Sequence, residues 1–491
     1  MATRRRDRRI AFVLLALALS VPLTASSATP ARTEQRTTDQ SLLAGVRAHL
    51  TALQRIAERN GGNRAAGTSG YDASARYAAA RMRAAGYRVR LQELTFPFVF
   101  DRSPPELRAL GGASWTHRAG RDYVTLSYSG SGRVEAAVTA VDLLVPSPAP
   151  NSSTSGCETS DFAAFPRGSV ALLQRGSCTF RVKAANAIAA GASAVVVTNE
   201  GNLGRQDVFS ATLGPPQVRV PVIAASSEVG EALRGGVRDG ATGVRALVET
   251  DVVAQTRRTR NVIAESRRGS PQSLVVVGAH LDSVPDGPGI NDNGSGSAVV
   301  LETAERLART TPRNRLRFVW WGAEELGLVG SRNYVESLST TARRDHALYL
   351  NFDMVGSPNF VPFVYDGDGS EGNGARLPPG SDAIERVFTR YFTSRRQAYR
   401  ETSIGGSSDH FPFAQAGIPV GGLFTGADGL KSAEEAAAFG GRDDQPYDPC
   451  YHRSCDRLAN VSNAALERIV RAALHAVSVF ARDVSTIERS G

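Results

Sequence analysis

The sequence predicts an α/β protein with a central β-sheet whose edge carries polar residues. Three apolar segments are typical of buried strands: Leu274–Val277, Arg315–Trp321 and Ala347–Met354. Histidine or carboxylate side chains lie where each segment ends, and sites in open α/β sheets form outside the carboxyl ends of strands. The 491 residues also exceed the ~250–300 at which single domains stop growing, so we expect more than one domain.

The amino terminus has the composition of a targeting segment. Five arginines precede the apolar run Ile10–Leu23, and Ser26-Ser27-Ala28 offers a signal-peptidase site. The run is shorter than the ~20 residues that a transmembrane helix needs. We therefore expect a signal peptide over residues 1–28, by the general or the twin-arginine route, then a disordered or cleaved leader over residues 29–40.

Charge and cysteine content narrow the class of protein. Removing residues 1–28 takes away five arginines and one aspartate, so the net charge falls from +9 to +5. This modest surplus on a long chain gives no support for nucleic-acid binding, and we expect no membrane attachment after signal removal. Four cysteines in a secreted chain favour two disulfides over a zinc site, and the simplest pairing is local: Cys157–Cys178 and Cys450–Cys455.

Periodicity divides the rest of the chain. Helical spacing of leucines predicts a helix over Ser41–Glu58, followed by a helix over Tyr71–Ala85 and a strand over Tyr87–Leu94, after which prolines break the pattern. From 120 to 250 the composition is β-rich, with strands Val170–Gln174 and Ala194–Thr198 around a helix over Val182–Ala190. We therefore expect a first segment over 41–105, an inserted domain over 120–250 and a domain over 257–485.

His280 and Asp282 follow the first buried strand, and Asp292 lies in a glycine-rich loop shortly after them. A histidine and two carboxylates at a strand end suit a metal that accepts nitrogen and oxygen ligands, with zinc as the leading candidate. The alternative is a capped helix start with an unrelated histidine nearby. Without a following lysine, the glycines do not form a phosphate-binding loop.

Three other segments extend this pattern. Glu324 and Glu325 follow the second strand, Asp353 ends the third, and His452 lies between Cys450 and Cys455. Adjacent buried carboxylates are costly unless cations compensate them. Each feature has an ordinary alternative, namely a solvated glutamate pair, a turn-capping aspartate and a surface histidine. Their occurrence together favours one metal centre.

These residues occur in long motifs that resemble the M28 family of co-catalytic zinc aminopeptidases, in particular the secreted double-zinc aminopeptidase of streptomycetes. The motifs are Gly278–Ser283, Gly289–Gly296, Trp320–Leu328, Asn351–Met354, Ser408–Phe413 and Asp448–His452, and the resemblance covers about residues 40–96 and 258–485. It implies a zinc exopeptidase fold, with a mixed central β-sheet flanked by helices. Residues 168–199 resemble a protease-associated (PA) domain, which is then an insertion.

The resemblance also implies roles for individual residues. One zinc would bind His280 and Asp353, the other would bind Glu325 and His452, and the Asp292 carboxylate would bridge them. The resemblance also implies a cis peptide between Asp292 and Asn293. Glu324 would be the general base, Tyr451 would donate to the oxyanion, and Asp282 would orient His280. His410 looks like a ligand, but the family's fifth ligand is the histidine of the Tyr-His loop, so we expect a structural role for His410.

Substrate preference follows from the same resemblance. Met354 and Phe424 correspond to an apolar specificity pocket, and Glu401 to a carboxylate near the substrate amine. Ser407 departs from the arginine that relatives often carry there, and a calcium site is only partly matched, by Asn463 and Glu467. We expect a monomer that hydrolyses peptides with a free amino terminus. A zinc carboxypeptidase, a glutaminyl cyclase and a receptor-like protein with a decayed site are the alternatives, and the intact ligand set argues against decay.

Overall fold

A computed structural model describes residues 30–111, 115–371 and 377–487. The expected signal peptide therefore lies outside the described residues. Across the described ranges, no helix is both long and apolar enough to cross a membrane. The strands are β1 (Arg88–Leu110), β2 (Tyr123–Thr125), β3 (Gly132–Ala140), β4 (Val170–Gln174), β5 (Ala194–Thr198), β6 (Val222–Ala225), β7 (Gly240–Glu265), β8 (Ser270–His280), β9 (Asn314–Trp321), β10 (His346–Phe352), β11 (Phe363–Tyr365), β12 (Arg400–Thr402) and β13 (Val420–Phe424).

The helices pack on the faces of the sheet that these strands form. They are α1 (Pro30–Glu58), α2 (Ser69–Ala84), α3 (Phe180–Ala189), α4 (Ser227–Arg234), α5 (Gly294–Leu307), α6 (Val329–Glu336), α7 (Thr340–Asp345), α8 (Ser381–Ser394), α9 (His410–Gln415), α10 (Ala433–Phe439) and α11 (Asn463–Arg482). Short 3-10 turns cover Thr159–Phe162 and Leu458–Asn460.

The sheet is mixed, as expected for this fold class. Its order is β12-β11-β13-β10-β8-β9-β7-β3-β4-β5-β6-β2, with β1 paired to β7. Strand β8 runs parallel to both β9 and β10, and β13 runs parallel to β10. The carboxyl ends of these four strands therefore meet at one edge, where the predicted site residues follow them.

Alternation along β8 explains how the sheet is covered on both faces. Val275 and Val277 pack into a core with α1, α2, α5, α8 and α11, whereas Leu274 and Val276 pack into a second core with α6 and α9. Successive side chains of a strand point to opposite faces, so a continuous apolar run is what a sheet with two covered faces requires.

A long antiparallel ribbon joins the two parts of the molecule. Strands β1 and β7 pair from Arg88↔Glu265 to Leu110↔Arg245, and β3 pairs with the amino-terminal half of β7. Strands β3 to β6 form a parallel sheet between two cores of their own. The chain thus leaves the first part through β1 and returns to it through β7, as an insertion requires.

Two expectations for secondary structure are wrong. Helix α1 begins at Pro30 rather than at the expected Ser41. Extending a helix that is already anchored costs little, because each added residue gains one hydrogen bond. Strand β1 does not end at Leu94 but continues through Pro97 to Leu110. Proline is compatible with this strand because β1 pairs with only one neighbour, β7.

Both expected disulfides are confirmed, Cys157–Cys178 and Cys450–Cys455. The first links the loop before β4 to the loop before α3 in the inserted domain. The second closes the loop that carries His452.

Candidate metal centre

The site lies where β8, β9 and β10 end. His280 is the last residue of β8, and Asp353 directly follows β10. Glu324 and Glu325 follow β9 after a sharp turn, in which Ala323 takes a φ of 61°. Asp292 precedes α5, and the expected cis Asp292–Asn293 peptide is present. The fold therefore collects side chains that are far apart in the sequence at one edge of the sheet.

The five predicted ligands form two groups that share Asp292. His280 Nε2 lies 3.2 Å from Asp353 Oδ1 and 3.3 Å from Asp292 Oδ1. His452 Nε2 lies 3.0 Å from Glu325 Oε2 and 3.2 Å from Asp292 Oδ2. One oxygen of Asp292 thus faces each group.

The chemistry of this donor set fits zinc. Two nitrogen or oxygen ligands of a tetrahedral zinc ion, each about 2.0–2.1 Å from the metal, lie about 3.3 Å apart, and the donor atoms here are 3.0–3.3 Å apart. Within the described part of the chain, the second carboxylate oxygen of Glu325 is buried and has no hydrogen-bond partner. A buried carboxylate oxygen that lacks a donor is well suited to a cation.

The electrostatics of the groups also favour a cation. Burial acts to lower the pKa of His280, but the facing carboxylates of Asp353 and Glu324 outweigh it and raise that pKa well above the usual value. The same balance, here with Asp292 and Glu325, raises the pKa of His452 to about 10. Burial raises the pKa of Glu325 to about 7. The carboxylates therefore favour a positive charge at both histidines. A bound metal supplies that charge when it displaces their protons.

Comparisons with known proteins identify the family of this chain. Residues 261–477 match the model of peptidase family M28, and residues 139–233 match that of the PA domain. An aminopeptidase of Pseudomonas aeruginosa is 48% identical over 85% of this chain and 77% of its own. The chain belongs to peptidase family M28.

A second relative and a solved structure are also aminopeptidases. A probable leucine aminopeptidase 2 of Aspergillus fumigatus is 39% identical over 74% of this chain and 70% of its own length. The solved structure of a zinc aminopeptidase from Bacillus subtilis superposes with a TM-score of 0.63 at 26% identity, covering 90% of this chain and 97% of that one. This M28 chain therefore has the zinc peptidase fold with a PA domain, as the resemblance implied.

Asp282 contacts more of the M28 site than the sequence suggests. Its carboxylate accepts hydrogen bonds from the backbone N–H groups of Glu324, at 3.2 Å, and Glu325, at 3.4 Å. The imidazole Nδ1 of His280 lies 3.2 Å from the backbone carbonyl of Asp282 and 3.8 Å from its carboxylate. The fully buried Asp282 carboxylate is thus closer to the turn that carries both glutamates than to His280.

A buried chain of hydrogen bonds ends at the Asp353 carboxylate and holds it in place. Trp321 donates to the Tyr349 hydroxyl, which donates to the side-chain oxygen of Asn351. The amide of Asn351 donates to Ser408 Oγ, and Ser408 donates to Asp353 Oδ2 over 2.6 Å. Sequence reasoning missed Ser408 because it considered this motif only for its histidine.

His410 takes no part in either ligand group among the described residues. Its Nε2 lies 2.8 Å from the Gly405 carbonyl and its ring packs against Tyr365. These contacts agree with the structural role expected for it.

Sequence reasoning also missed two residues that contact the Asp292 loop. Asp456 accepts hydrogen bonds from the backbone N–H groups of Asn291, at 2.7 Å, and Asp292, at 2.9 Å. Arg64 reaches the same loop from the other end of the chain, with its side chain fully buried. Neither residue lies in a pattern that marks metal chemistry.

The expected substrate residues do not all lie together. Met354 lies two residues beyond the end of β10, Phe424 ends the adjacent strand β13, and the backbone N–H of Thr425 donates to the Met354 carbonyl over 3.0 Å. The ring of Phe424 stacks on Phe363. Glu401, by contrast, lies on the edge strand β12, where its carboxylate is 3.4 Å from the Ser370 hydroxyl. Among the described residues, no hydrogen bond or ion pair links Glu401 to the ligands.

Other expected residues lie at the entrance or away from the centre. Tyr451 is partly buried and its ring stacks on His452, with 3.8 Å between centroids. Ser407 is exposed beside the buried Ser408. Asn463 and Glu467, which partly match a calcium site, both lie on α11, where Glu467 is paired with Arg471. Of the residues described, no cluster of three metal-binding side chains includes Glu467.

Proposed function

We propose that the chain is a secreted di-zinc aminopeptidase that removes large apolar residues from peptides with a free amino terminus. The observation that carries this proposal is the orientation of Asp292, whose two oxygens face separate histidine–carboxylate groups. His280 and Asp353 would hold one zinc, and Glu325 and His452 the other. When bound, the pair supplies Lewis-acid charge and makes water acidic enough to attack at neutral pH.

Within this proposal, Glu324 moves the proton. It is buried like His280 and Asp353, but its carboxylate is 4.0 Å from His280 Nε2, further than the Asp353 carboxylate is. Burial, and then the charges of Asp409 and Glu325, raise the pKa of Glu324 well above its usual value. A carboxylate of raised pKa can accept a proton from water and return it to the leaving amine.

Other residues stabilise the transition state and bind the substrate. The Tyr451 hydroxyl donates to the oxygen that gains charge as the peptide carbonyl is attacked, which stabilises the transition state. Burial raises the pKa of Tyr451, so the hydroxyl keeps its proton. Met354 and Phe424 accept the apolar side chain of the first substrate residue. Asp353 and Glu324, together with the more distant Glu401, attract its free ammonium.

The alternatives place different groups at the same centre. An M28 carboxypeptidase needs a cation to bind the substrate carboxylate, whereas the residues proposed to line this pocket are apolar or acidic. A glutaminyl-cyclase-like enzyme does not need a pair of zinc ions. The carboxylates that surround the pocket therefore favour an aminopeptidase, as does the activity named for the Pseudomonas and Bacillus relatives.

Secretion rests on features outside the metal centre. The arginine-led apolar run within residues 1–28 has the form of a signal peptide. Both cysteine pairs are oxidised, as is usual outside the cytosol. We further propose that the enzyme acts as a monomer, divided into a peptidase domain over 41–105 and 257–485 and a PA domain over 120–250.

A panel of aminoacyl-p-nitroanilides tests the proposal. Burying a leucine-sized side chain is worth about 1.5–3 kcal/mol, so leucine, methionine and phenylalanine should exceed glycine by about ten- to a hundredfold in kcat/KM. Aspartate and glutamate should be poor, because they add charge to an acidic site. Acetyl-leucine-p-nitroanilide is the matched control for the free amine. Its efficient hydrolysis, or a preference for acidic residues, would contradict the proposal.

A further inference from the structure

Arg64 is a fully buried cation in the loop between α1 and α2. Its guanidinium donates to three backbone carbonyls: Nε to Pro288 over 2.8 Å, and the two terminal nitrogens to Leu281 and Gly289. These partners lie 217–225 residues further along the chain. One rigid, planar side chain therefore fixes two well-separated parts of the one loop, residues 281–293, that connects β8 to α5.

Both parts of this loop lie beside proposed metal ligands. Leu281 directly follows His280, and Pro288 and Gly289 precede Asp292 in the same loop. The Arg64 guanidinium holds the carbonyls of both parts on one donor group. A shift of Arg64 would change the separation of His280 from Asp292, whose side chains have to meet at the same ion.

The backbone of Arg64 reinforces this contact. Its N–H donates to Ser283 Oγ over 2.9 Å, and its carbonyl accepts from the Ser283 N–H. The Ser283 hydroxyl in turn contacts the Gly287 carbonyl at 3.0 Å, inside the loop between the ligands. The segment around Arg64 is thus bonded to the loop between β8 and α5 through both main chain and side chain.

Close packing around Gly289 leaves the loop between β8 and α5 little room to shift. Gly289 takes a φ of 59°, and a Cβ there would lie 2.3 Å from the Asp292 carbonyl and 2.5 Å from Ser283 Cβ. The same Cβ would lie 3.1 Å from an Arg64 nitrogen. Backbone, serine and guanidinium therefore meet closely at this point, where only glycine fits without strain.

Charge explains why an arginine is tolerated here. Isolated buried cations are costly unless paired, and burial lowers the pKa of Arg64, although the surrounding carboxylates of Asp282, Asp456, Asp292 and Glu325 raise it. Arginine stays protonated in proteins. The guanidinium therefore supplies a permanent positive charge behind a cluster of ligand carboxylates.

We propose that Arg64 is a positioning residue that holds the loop between β8 and α5 in the shape that lets His280 and Asp292 share a metal ion. The first chain segment, which the PA domain separates from the proposed ligands in sequence, thereby completes the metal centre. This inference rests on the proposed zinc function of His280 and Asp292. It assigns Arg64 no contact with the substrate.

The test compares Arg64→Met, Arg64→Lys and Tyr87→Phe in the full-length enzyme. Tyr87→Phe is the matched control, because it removes a buried hydrogen bond of the first segment, to the Ala304 carbonyl near the carboxyl end of α5, away from the loop that Arg64 binds. Zinc affinity is measured by chelator competition, the melting temperature is measured with and without zinc, and kcat and KM are measured at limiting and saturating zinc.

We expect Arg64→Met to weaken zinc binding by about 10- to 100-fold, as is usual when a partner of metal ligands is lost. Excess zinc should restore most of kcat, with KM little changed. Arg64→Lys should fall between wild type and Arg64→Met, because an ammonium cannot reproduce the planar fork. Tyr87→Phe should bind zinc like wild type even where its melting temperature falls.

A lowered melting temperature with wild-type zinc affinity in Arg64→Met would overturn the inference, as would an Arg64→Lys variant equal to wild type. If Arg64→Met does not fold, Ser283→Ala decides, since it leaves the Arg64 N–H without its acceptor. It should weaken zinc binding several-fold, and unchanged affinity would count against the inference. Absence of zinc from the wild-type enzyme would refute the proposed function instead.

Discussion

Glu324 and Glu325 are adjacent in sequence but differ in what their carboxylates face. An oxygen of Glu325 lies 3.0 Å from His452 Nε2, whereas the nearest imidazole nitrogen to Glu324 is 4.0 Å away, on His280. The Asp282 carboxylate accepts from the backbone N–H of both and so fixes the turn. This difference is the structural basis for assigning one glutamate to the metal and the other to proton transfer.

Glu324→Gln should therefore separate catalysis from metal binding. The amide keeps the shape of the side chain but cannot accept a proton, so kcat should fall by about 10²–10⁴-fold. Zinc content should stay at the wild-type value, because Glu324 is not among the proposed ligands. Steady-state rates and metal analysis of the same preparation check both. A variant that keeps both its zinc and a near wild-type rate would exclude the proton-transfer role.

At the scale of residues, motifs predicted the ligand types but not their supports. His280, Asp292, Glu325, Asp353 and His452 each follow a strand or lie in a constrained loop, which the sequence indicates. Arg64 carries no such signal, because its partners lie more than two hundred residues away and are backbone carbonyls. Backbone acceptors have no side-chain identity, so no residue pattern can reveal them.

The loop between Cys450 and Cys455 is the element on which the second ligand group depends. It presents His452, which is the most exposed of the proposed ligands, with a side chain 41% accessible. Chain entropy predicts that this short disulfide stabilises the protein by about 2 kcal/mol, less than the ~3 kcal/mol of the longer Cys157–Cys178 closure. The Cys157–Cys178 bond should therefore contribute more to stability, whereas the Cys450–Cys455 bond should matter more for zinc binding and activity.

Replacing both Cys450 and Cys455 by serine should weaken zinc binding at the His452 group and reduce activity, because the exposed loop loses its closure. Replacing Cys157 and Cys178 is the matched control, since that pair lies in the PA domain. It should lower the melting temperature at least as much and leave zinc content unchanged. The opposite ranking in metal content would show that the short disulfide does not support the ligand.

Strand β10 contains a buried histidine that couples pH to stability. His346 Nδ1 lies 2.6 Å from the Ala342 carbonyl, and Nε2 lies 2.7 Å from the Tyr334 hydroxyl. Burial lowers the pKa of His346 to about 4. The folded state therefore disfavours the proton that the unfolded state accepts near pH 6.5, so this part of the stability is complete above pH 6.5 and is lost as pH falls towards 4.

His346→Gln should make acid unfolding less steep between pH 6.5 and 4. The free energy of unfolding of the wild type, measured relative to that of the variant, should be about 3 kcal/mol lower at pH 4 than at pH 7.5. This is the linkage value of the pKa shift. Denaturant unfolding at several pH values measures it. The metal-free forms are compared, so that zinc release does not contribute. Parallel pH profiles for wild type and variant would show that His346 does not titrate in this range.

At the scale of the whole molecule, the sequence indicated the inserted domain but not the connection. Prolines at 97, 104 and 105 suggested a break, whereas β1 continues through them to Leu110 and pairs with β7. Each ribbon strand therefore crosses from the peptidase sheet to the PA sheet without an intervening linker. Strand pairing between residues about 150 positions apart overrides local propensity, and local patterns alone do not predict it.

The chain segments before and after the PA insertion contribute different residues to the metal centre. The first segment contributes Arg64, the large domain contributes every proposed ligand, and the ribbon enters the large domain beside β9. Residues of the ribbon, among them Phe96 and Phe98, pack with Ala323, next to Glu324. The metal centre is thus built from both sides of the PA insertion.

The central claim is that Asp292 bridges two zinc ions, and metal analysis of purified wild type and Asp292→Ala tests it most directly. Both proteins are loaded with zinc, dialysed together and compared by mass spectrometry of the metal content per chain, with circular dichroism as the check on folding. The claim predicts two zinc ions per wild-type chain and fewer than one in a folded Asp292→Ala, because the bridging carboxylate serves both groups. A wild-type enzyme that holds one zinc, or a variant that keeps two, would contradict it.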